Sequence, residues 1–213
     1  MTDSKKQIAN SQKQITKRKQ QTIGILFAVC CLLFAMSRAW SQEPFYIYKQ
    51  FHARENHFAP SGLMGDYGDI RFDDHWQPAG KKDAKTIIRV VYSAKAQQGN
   101  GWAGIYWQNP ANNWGSRPGG FNLNGMKRLV FKVRGEKGGE RVEEFKVGGI
   151  TGDYADSGTA AVGPVTLAKV WKQYEINLEG QELSSITGGF CWTISRDVNP
   201  NGAIFYLDDI RFE

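Results

Sequence analysis

Residues 171–213 read WKQYEINLEGQELSSITGGFCWTISRDVNPNGAIFYLDDIRFE, and the pattern of this stretch decides the fold. Three runs in it, Trp171 to Leu178, Gly189 to Ser195 and Ala203 to Phe212, alternate or continue in apolar character and are rich in aromatic and β-branched residues. Glu-Gly and Asn-Pro-Asn-Gly separate them, residue types that favour turns. Successive side chains on a strand point to opposite faces, so Tyr174, Ile176 and Leu178 share one face while Gln173, Glu175 and Asn177 share the other.

The same pattern extends toward the N-terminus. Thr86 to Ala94, Trp102 to Gln108, Arg128 to Arg134 and Val142 to Ile150 are further strand candidates, with Phe45 to Phe51 and Asp69 to Asp73 as weaker ones. Leu129, Phe131 and Val133 are predicted to face inward, as are Phe145 and Val147, with charged residues between them. No amphipathic helix interrupts the series. About nine strands with one packed and one wet face predict an all-β antiparallel β-sandwich, a single domain over residues 42–213.

The formal charge of +6 suggests a nucleic-acid binder until the charges are located. Residues 1–41 hold Lys5, Lys6, Lys13, Lys17, Arg18, Lys19 and Arg38 against Asp3, which accounts for the whole excess. The following residues are balanced and contain no basic run able to track a phosphate backbone, so no nucleic-acid partner is expected. A Lys-rich stretch, the apolar run Ile23 to Met36 and the small residues Ala39 and Ser41 form the series expected of a signal peptide over residues 1–41. The run is 14 residues long, short of the roughly 20 that a membrane span needs, so cleavage is expected. An uncleaved anchor, the single route to a membrane, is the alternative. The domain is therefore expected outside the cell or in the periplasm or envelope. Cys191 is the one cysteine beyond this segment, which rules out a disulfide within residues 42–213.

No HExxH, phosphate loop, dinucleotide fingerprint or Gly-x-Ser-x-Gly motif occurs, and the adjacent carboxylates Glu143/Glu144 and Asp208/Asp209 point to opposite faces of a regular strand. A non-catalytic role follows. Aromatic residues crowd instead into GWAGIYWQNPANNWG, residues 101–115. Parity puts Ala103, Ile105 and Trp107 in the core and Trp102, Gly104 and Tyr106 on the other face, where two aromatics spaced by a glycine would form a shelf for the CH-rich face of a sugar ring. Asn112, Trp114 and Arg117 follow in the loop and could orient hydroxyls; the competing arrangement has that loop cover Trp102 and Tyr106 as a small second core. Asp66, Asp69, Asp73 and Asp74, with Asp208 and Asp209 in the final run, are candidate ligands of a structural Ca2+, with turn capping as the other reading.

The series WKQYEINL, GGFCWTIS and IFYLDDIRFE resembles the C-terminal half of carbohydrate-binding modules with the galactose-binding-like jelly-roll fold, family 11 in particular. The resemblance implies a jelly roll, an aromatic-lined cleft for a polysaccharide or glycan, and a calcium ion held in part by a last-strand carboxylate, here Asp208 or Asp209. It also extends to intermediate-associated proteins of respiratory-complex assembly, which makes an envelope structural or assembly protein the alternative expectation.

Overall fold

The computed structural model describes residues 43–80 and 84–213; the expected signal segment lies outside the described residues. Thirteen strands run in chain order among them: β1 (Phe45–Tyr48), β2 (Ala59–Gly65), β3 (Ile70–Trp76), β4 (Ile87–Tyr92), β5 (Trp102–Gln108), β6 (Arg128–Gly135), β7 (Arg141–Val142), β8 (Glu144–Gly148), β9 (Thr159–Val162), β10 (Val165–Thr166), β11 (Lys172–Asn177), β12 (Gly188–Ser195) and β13 (Ala203–Phe212). One sheet has the order β11-β6-β13-β4-β3, with β1 also on β13; the other has the order β2-β5-β12-β8-β9. All pairings are antiparallel, and β7 and β10 form a small separate ladder.

The alternation read from the sequence places the core. Ile88, Val90, Leu129, Phe131, Phe205 and Leu207 of the first sheet face Ala103, Ile105, Trp107, Phe145, Phe190 and Trp192 of the second, all buried in one cluster. Phe131 touches Phe145 and Phe190 at ring separations of 4.6 and 5.3 Å, and Trp192 meets Phe205 edge-on at 5.1 Å. Such offset and edge contacts are the arrangements that aromatic quadrupoles favour.

Three strands were not expected. β2, with sequence APSGLMG, carries a proline and two glycines and is tolerated because it lies on a sheet edge. β9 and β10 are too short for a period to register. The run Val142 to Ile150 divides at Glu143, whose N–H donates to Thr193 O at 2.9 Å.

Two buried carboxylates shape the connection between β4 and β5. Asp66 accepts N–H bonds from Gln98 and Asn100 at 2.9 Å and from Gly101 at 2.6 Å, while Asp69 accepts from Ala96 at 2.7 Å and from the Ser93 hydroxyl at 2.8 Å. Burial pulls the Asp66 carboxyl upward, but these donors outweigh it and hold it below the ordinary carboxylate range.

Candidate functional site

The outer face of the β2-β5-β12-β8-β9 sheet is built from two cross-strand rows. Residues paired across antiparallel strands project to the same side, so Met64, Gly104, Thr193 and Glu144 form one row. Gly62, Tyr106, Cys191, Lys146 and Ala161 form the next. Trp102, paired with Ser195, stands at the open end, 39% exposed. A Cβ at Gly104 would fall 2.8 Å from Met64 Cε and 3.1 Å from Thr193 Cγ2. Those two side chains fill the space above this glycine and form a low apolar floor.

Tyr106 projects to this face as parity requires, but the expectation that it joins an open shelf is corrected. It is 4% exposed, packed with Ile150 and Cys191 and flanked by Met64 in a small cluster separate from the main core. Its hydroxyl donates to Gly148 O at 2.8 Å, and Trp114 meets its ring edge-on at 5.8 Å. Burial pushes the phenol well up, with Cys191 and Asp156 adding to the effect. The buried Cys191 thiol is pushed up for the same reason.

Two loops account for this covering. The first, 109–120, is organised by the fully buried Gln108 and Asn113: Gln108 Nε2 donates to Asn113 O at 3.0 Å, and Asn113 Nδ2 donates to Arg117 O at 2.8 Å. Asn112 is exposed in a left-handed conformation with its N–H on Ser61 Oγ, and Arg117 Nη2 donates back to Ala111 O at 2.6 Å. Arg117 thus closes its own loop instead of reaching across the face. The second loop, 149–156, is anchored by Asp156, which accepts N–H bonds from Ile150 at 2.9 Å and Thr187 at 2.5 Å. Burial raises the Asp156 carboxyl despite these donors.

Tyr154 N–H donates to Gly115 O at 3.0 Å, and a Cβ at Gly115 would fall on Thr151 O. The two loops are therefore clasped, and each presents one exposed aromatic, Trp114 at 44% and Tyr154 at 47% exposure. Tyr154, Met64, Thr193 and Lys146 were not singled out from the sequence as site residues, and Glu144 was weighed there only as one of two adjacent carboxylates. An aromatic inside the Gly/Asp-rich TGDYADSG was a legible clue to the first; the others depend on strand register. Lys146 Nζ lies 5.4 Å from the Tyr106 centroid and 3.6 Å from Glu144, and the Ser195 hydroxyl donates to Glu143 at 2.6 Å. The face thus offers three exposed aromatics, an apolar floor and a mixed-charge border.

The acids expected at a calcium site are arranged differently. A register shift between Asp208 and Arg211, with Asp209 in a left-handed conformation, forms a bulge that brings both carboxylates to cations of the outer face. Asp208 pairs with Lys85 at 2.6 Å; Asp209 pairs with Lys132 at 3.0 Å and Arg211 at 2.7 Å. Asp73 lies 3.2 Å from His75. Among the described residues no group of three or more His, Cys, Asp or Glu is placed to hold a metal ion. Calcium takes six to eight oxygens, and carboxylates already matched by lysine and arginine do not fit that demand. Burial raises the Asp208 carboxyl in spite of Lys85, whereas at Asp209 the two cations outweigh burial and lower it.

No protein-family profile matches the chain, and no curated protein matches it in sequence. Solved structures do. A family 30 carbohydrate-binding module is similar at a TM-score of 0.50 and 16% identity over 81% of this chain and 88% of its own. The family 30 module of a cellulosomal cellulase of Clostridium thermocellum is similar at 0.50 and 14% identity over 80% of this chain and 96% of its own. A family 11 module of another cellulosomal cellulase of the same organism reaches 0.47 at 12% identity over 77% of this chain and 91% of its own. Residues 43–213 have the antiparallel β-sandwich fold of the family 30 carbohydrate-binding modules.

Proposed function

We propose that the protein is a secreted, non-catalytic binder of a neutral polysaccharide or glycan, and that the ligand lies along the outer face of the β2-β5-β12-β8-β9 sheet. The observation that carries this reading is the pair of exposed tryptophans at the two ends of one strand-loop unit. Trp102 begins β5; Trp114 stands over Tyr106, four residues along that strand, or about 13 Å at the usual strand rise. The span between exceeds one sugar ring. The Met64–Thr193 floor can take apolar ring faces, and Glu144, Lys146 and Ser195 at the border can exchange hydrogen bonds with hydroxyls. Similarity in fold to carbohydrate-binding modules supports the ligand class. The segregation of basic charge into residues 1–41 supports export.

The test is affinity electrophoresis of the full chain through gels containing soluble polysaccharides, with Trp102→Ala and Trp114→Ala as variants. Retardation by at least one polymer, weakened in both variants while each still melts in one cooperative transition, is the expected result. Migration unaffected by every polymer would overturn the reading. Mass spectrometry of the native N-terminus tests export separately, since cleavage after Ala39 or Ser41 leaves a defined new terminus.

A further inference from the structure

The outer face of the other sheet carries a second aromatic arrangement that the function above leaves unused. Tyr206 of β13 projects to this face, in register with Arg89 of β4 and Arg134 of β6, yet it is only 3% exposed. Trp76 lies against its ring at 4.9 Å, and the Arg134 guanidinium lies 3.9 Å from the ring centroid. The same guanidinium is 5.4 Å from the ring of Trp171, so an indole that is 40% exposed rests on a cation that is itself stacked on a buried phenol. Cation–π contacts of this kind fix a ring plane as well as stabilising it.

Glu136 continues the arrangement. It accepts the Tyr206 hydroxyl at 2.7 Å, lies 3.8 Å from Arg134, and borders a cleft of about 490 Å³. Val91 and Ile204, paired in register and half-buried, give this cleft an apolar element; Glu140 and Asn201 add polar groups to its lining. The volume lies in the range of small-molecule sites. Charge decides which ligand class suits it. Four cations of this face lie at short range from carboxylates, Arg134 from Glu136, Lys85 from Asp208, Lys132 and Arg211 from Asp209, and Arg89 stands in register with Asp73, so the positive charge is largely offset and a polyanion is not the favoured ligand. A neutral, hydroxyl-rich ligand can use both members of the Arg134–Glu136 pair and stack on Trp171.

We propose that Trp171, the Arg134–Glu136 pair and the adjoining cleft that Glu136 borders form a second saccharide-binding site, on the opposite face of the sandwich from the first. It takes a neutral sugar unit, and a chain engaged on both faces cross-links its polymer. The site is independent of the first and stands or falls separately.

The experiment is fluorine NMR of the full chain labelled with fluorotryptophan, each resonance assigned by a single Trp→Phe substitution. The probes are cellotetraose, xylotetraose and a mixed-linkage β-glucan tetrasaccharide, each titrated to about 10 mM to reach weak sites. The expected result is a saturable shift of Trp171 with at least one probe. It persists in the Trp102→Ala/Trp114→Ala double variant and is weakened about 3- to 10-fold in affinity by Arg134→Lys, which keeps the charge and loses the planar stack. The buried Trp107 and Trp192 serve as stationary references. A Trp171 resonance unmoved by all three probes overturns the second site, whatever Trp102 and Trp114 do, and so does a shift that disappears in the double variant. A moving Trp171 with stationary Trp102 and Trp114 upholds the second site and overturns the first.

Discussion

Replacing Tyr106 by alanine should unfold the domain's edge before it reveals anything about ligands. The ring is buried, and truncating a buried aromatic to alanine costs about 3–5 kcal/mol. Its edge contact with Trp114 and the hydrogen bond to Gly148 O lie within that loss and keep it toward the upper half, about 4 kcal/mol. Total stabilities are about 5–15 kcal/mol, and a domain of this size loses about 2–4 °C of melting temperature per kcal/mol. The variant should therefore melt about 8–16 °C lower. Trp102→Ala should cost less: the residue is 39% exposed, so the loss falls below that of a fully buried aromatic, to about 1–3 kcal/mol. A lost sugar-stacking contact of about 0.5–1.5 kcal/mol weakens polymer retention by roughly 2- to 12-fold. Thermal melts and affinity electrophoresis on the same samples separate the two effects. If Tyr106→Ala melted within about 2 °C of the parent while polymer retention vanished, its ring would be an exposed contact and the covering by the two loops would be wrong.

Acid should report on Asp66. Its carboxyl is lowered in the folded state, so its contribution is complete above the unfolded carboxyl's pKa and is lost as pH falls through the lower folded value. Urea midpoints of the parent and Asp66→Asn should then converge as the solution becomes strongly acidic; a constant gap would rule out this linkage. Excess EDTA or added millimolar Ca2+ should leave the melting temperature unchanged, because Lys85, Lys132 and Arg211 already neutralise Asp208 and Asp209; a clear rise with Ca2+ would contradict that arrangement. Gly115→Ala should destabilise more than Gly180→Ala. Both glycines have positive φ, but Gly115 abuts the Thr151 carbonyl whereas Gly180 faces open space, so strain of about 1–3 kcal/mol is common to both and the clash is peculiar to the first. Equal melting temperatures for the two would show that the loop clasp yields easily.

Runs of alternating or continuous apolar character were legible from residue order: six of the seven clearest correspond to a single strand within a few residues, β5 and β13 at their full extent, and the seventh divides into β7 and β8. β2 escaped because proline and glycine are permitted on an edge that only the completed sheet defines. For the candidate site, parity assigned Trp102 and Tyr106 to the outer face of the sheet, where the register places them, but could not show how far each would be covered. Covering is set by loops 109–120 and 149–156, which are distant in sequence and meet through Gly115 and Tyr154. Met64, Thr193 and Glu144 join the face by register, a property of pairs of strands that no single strand displays. The acidic doublet misled for a related reason: a regular strand separates Asp208 from Asp209, and the bulge that brings each to a cation is a tertiary feature.

The placement of β13 governs how the chain can assemble. This strand lies between β4 and β6 and also receives β1, so the first strand and the last are hydrogen-bonded neighbours. Until its residues are available, β4 and β6 have no common partner, and Ile88, Val90, Leu129 and Phe131 have no completed layer to pack in. Folding of this sheet during synthesis therefore waits for residues 203–212, a topology with long loops to close and slow formation. A chain threaded N-terminus first through a narrow passage would stay extended until the last strand emerged. The same architecture makes the domain intolerant of deleting residues 204–213, which removes nearly all of the strand on which one whole sheet is centred.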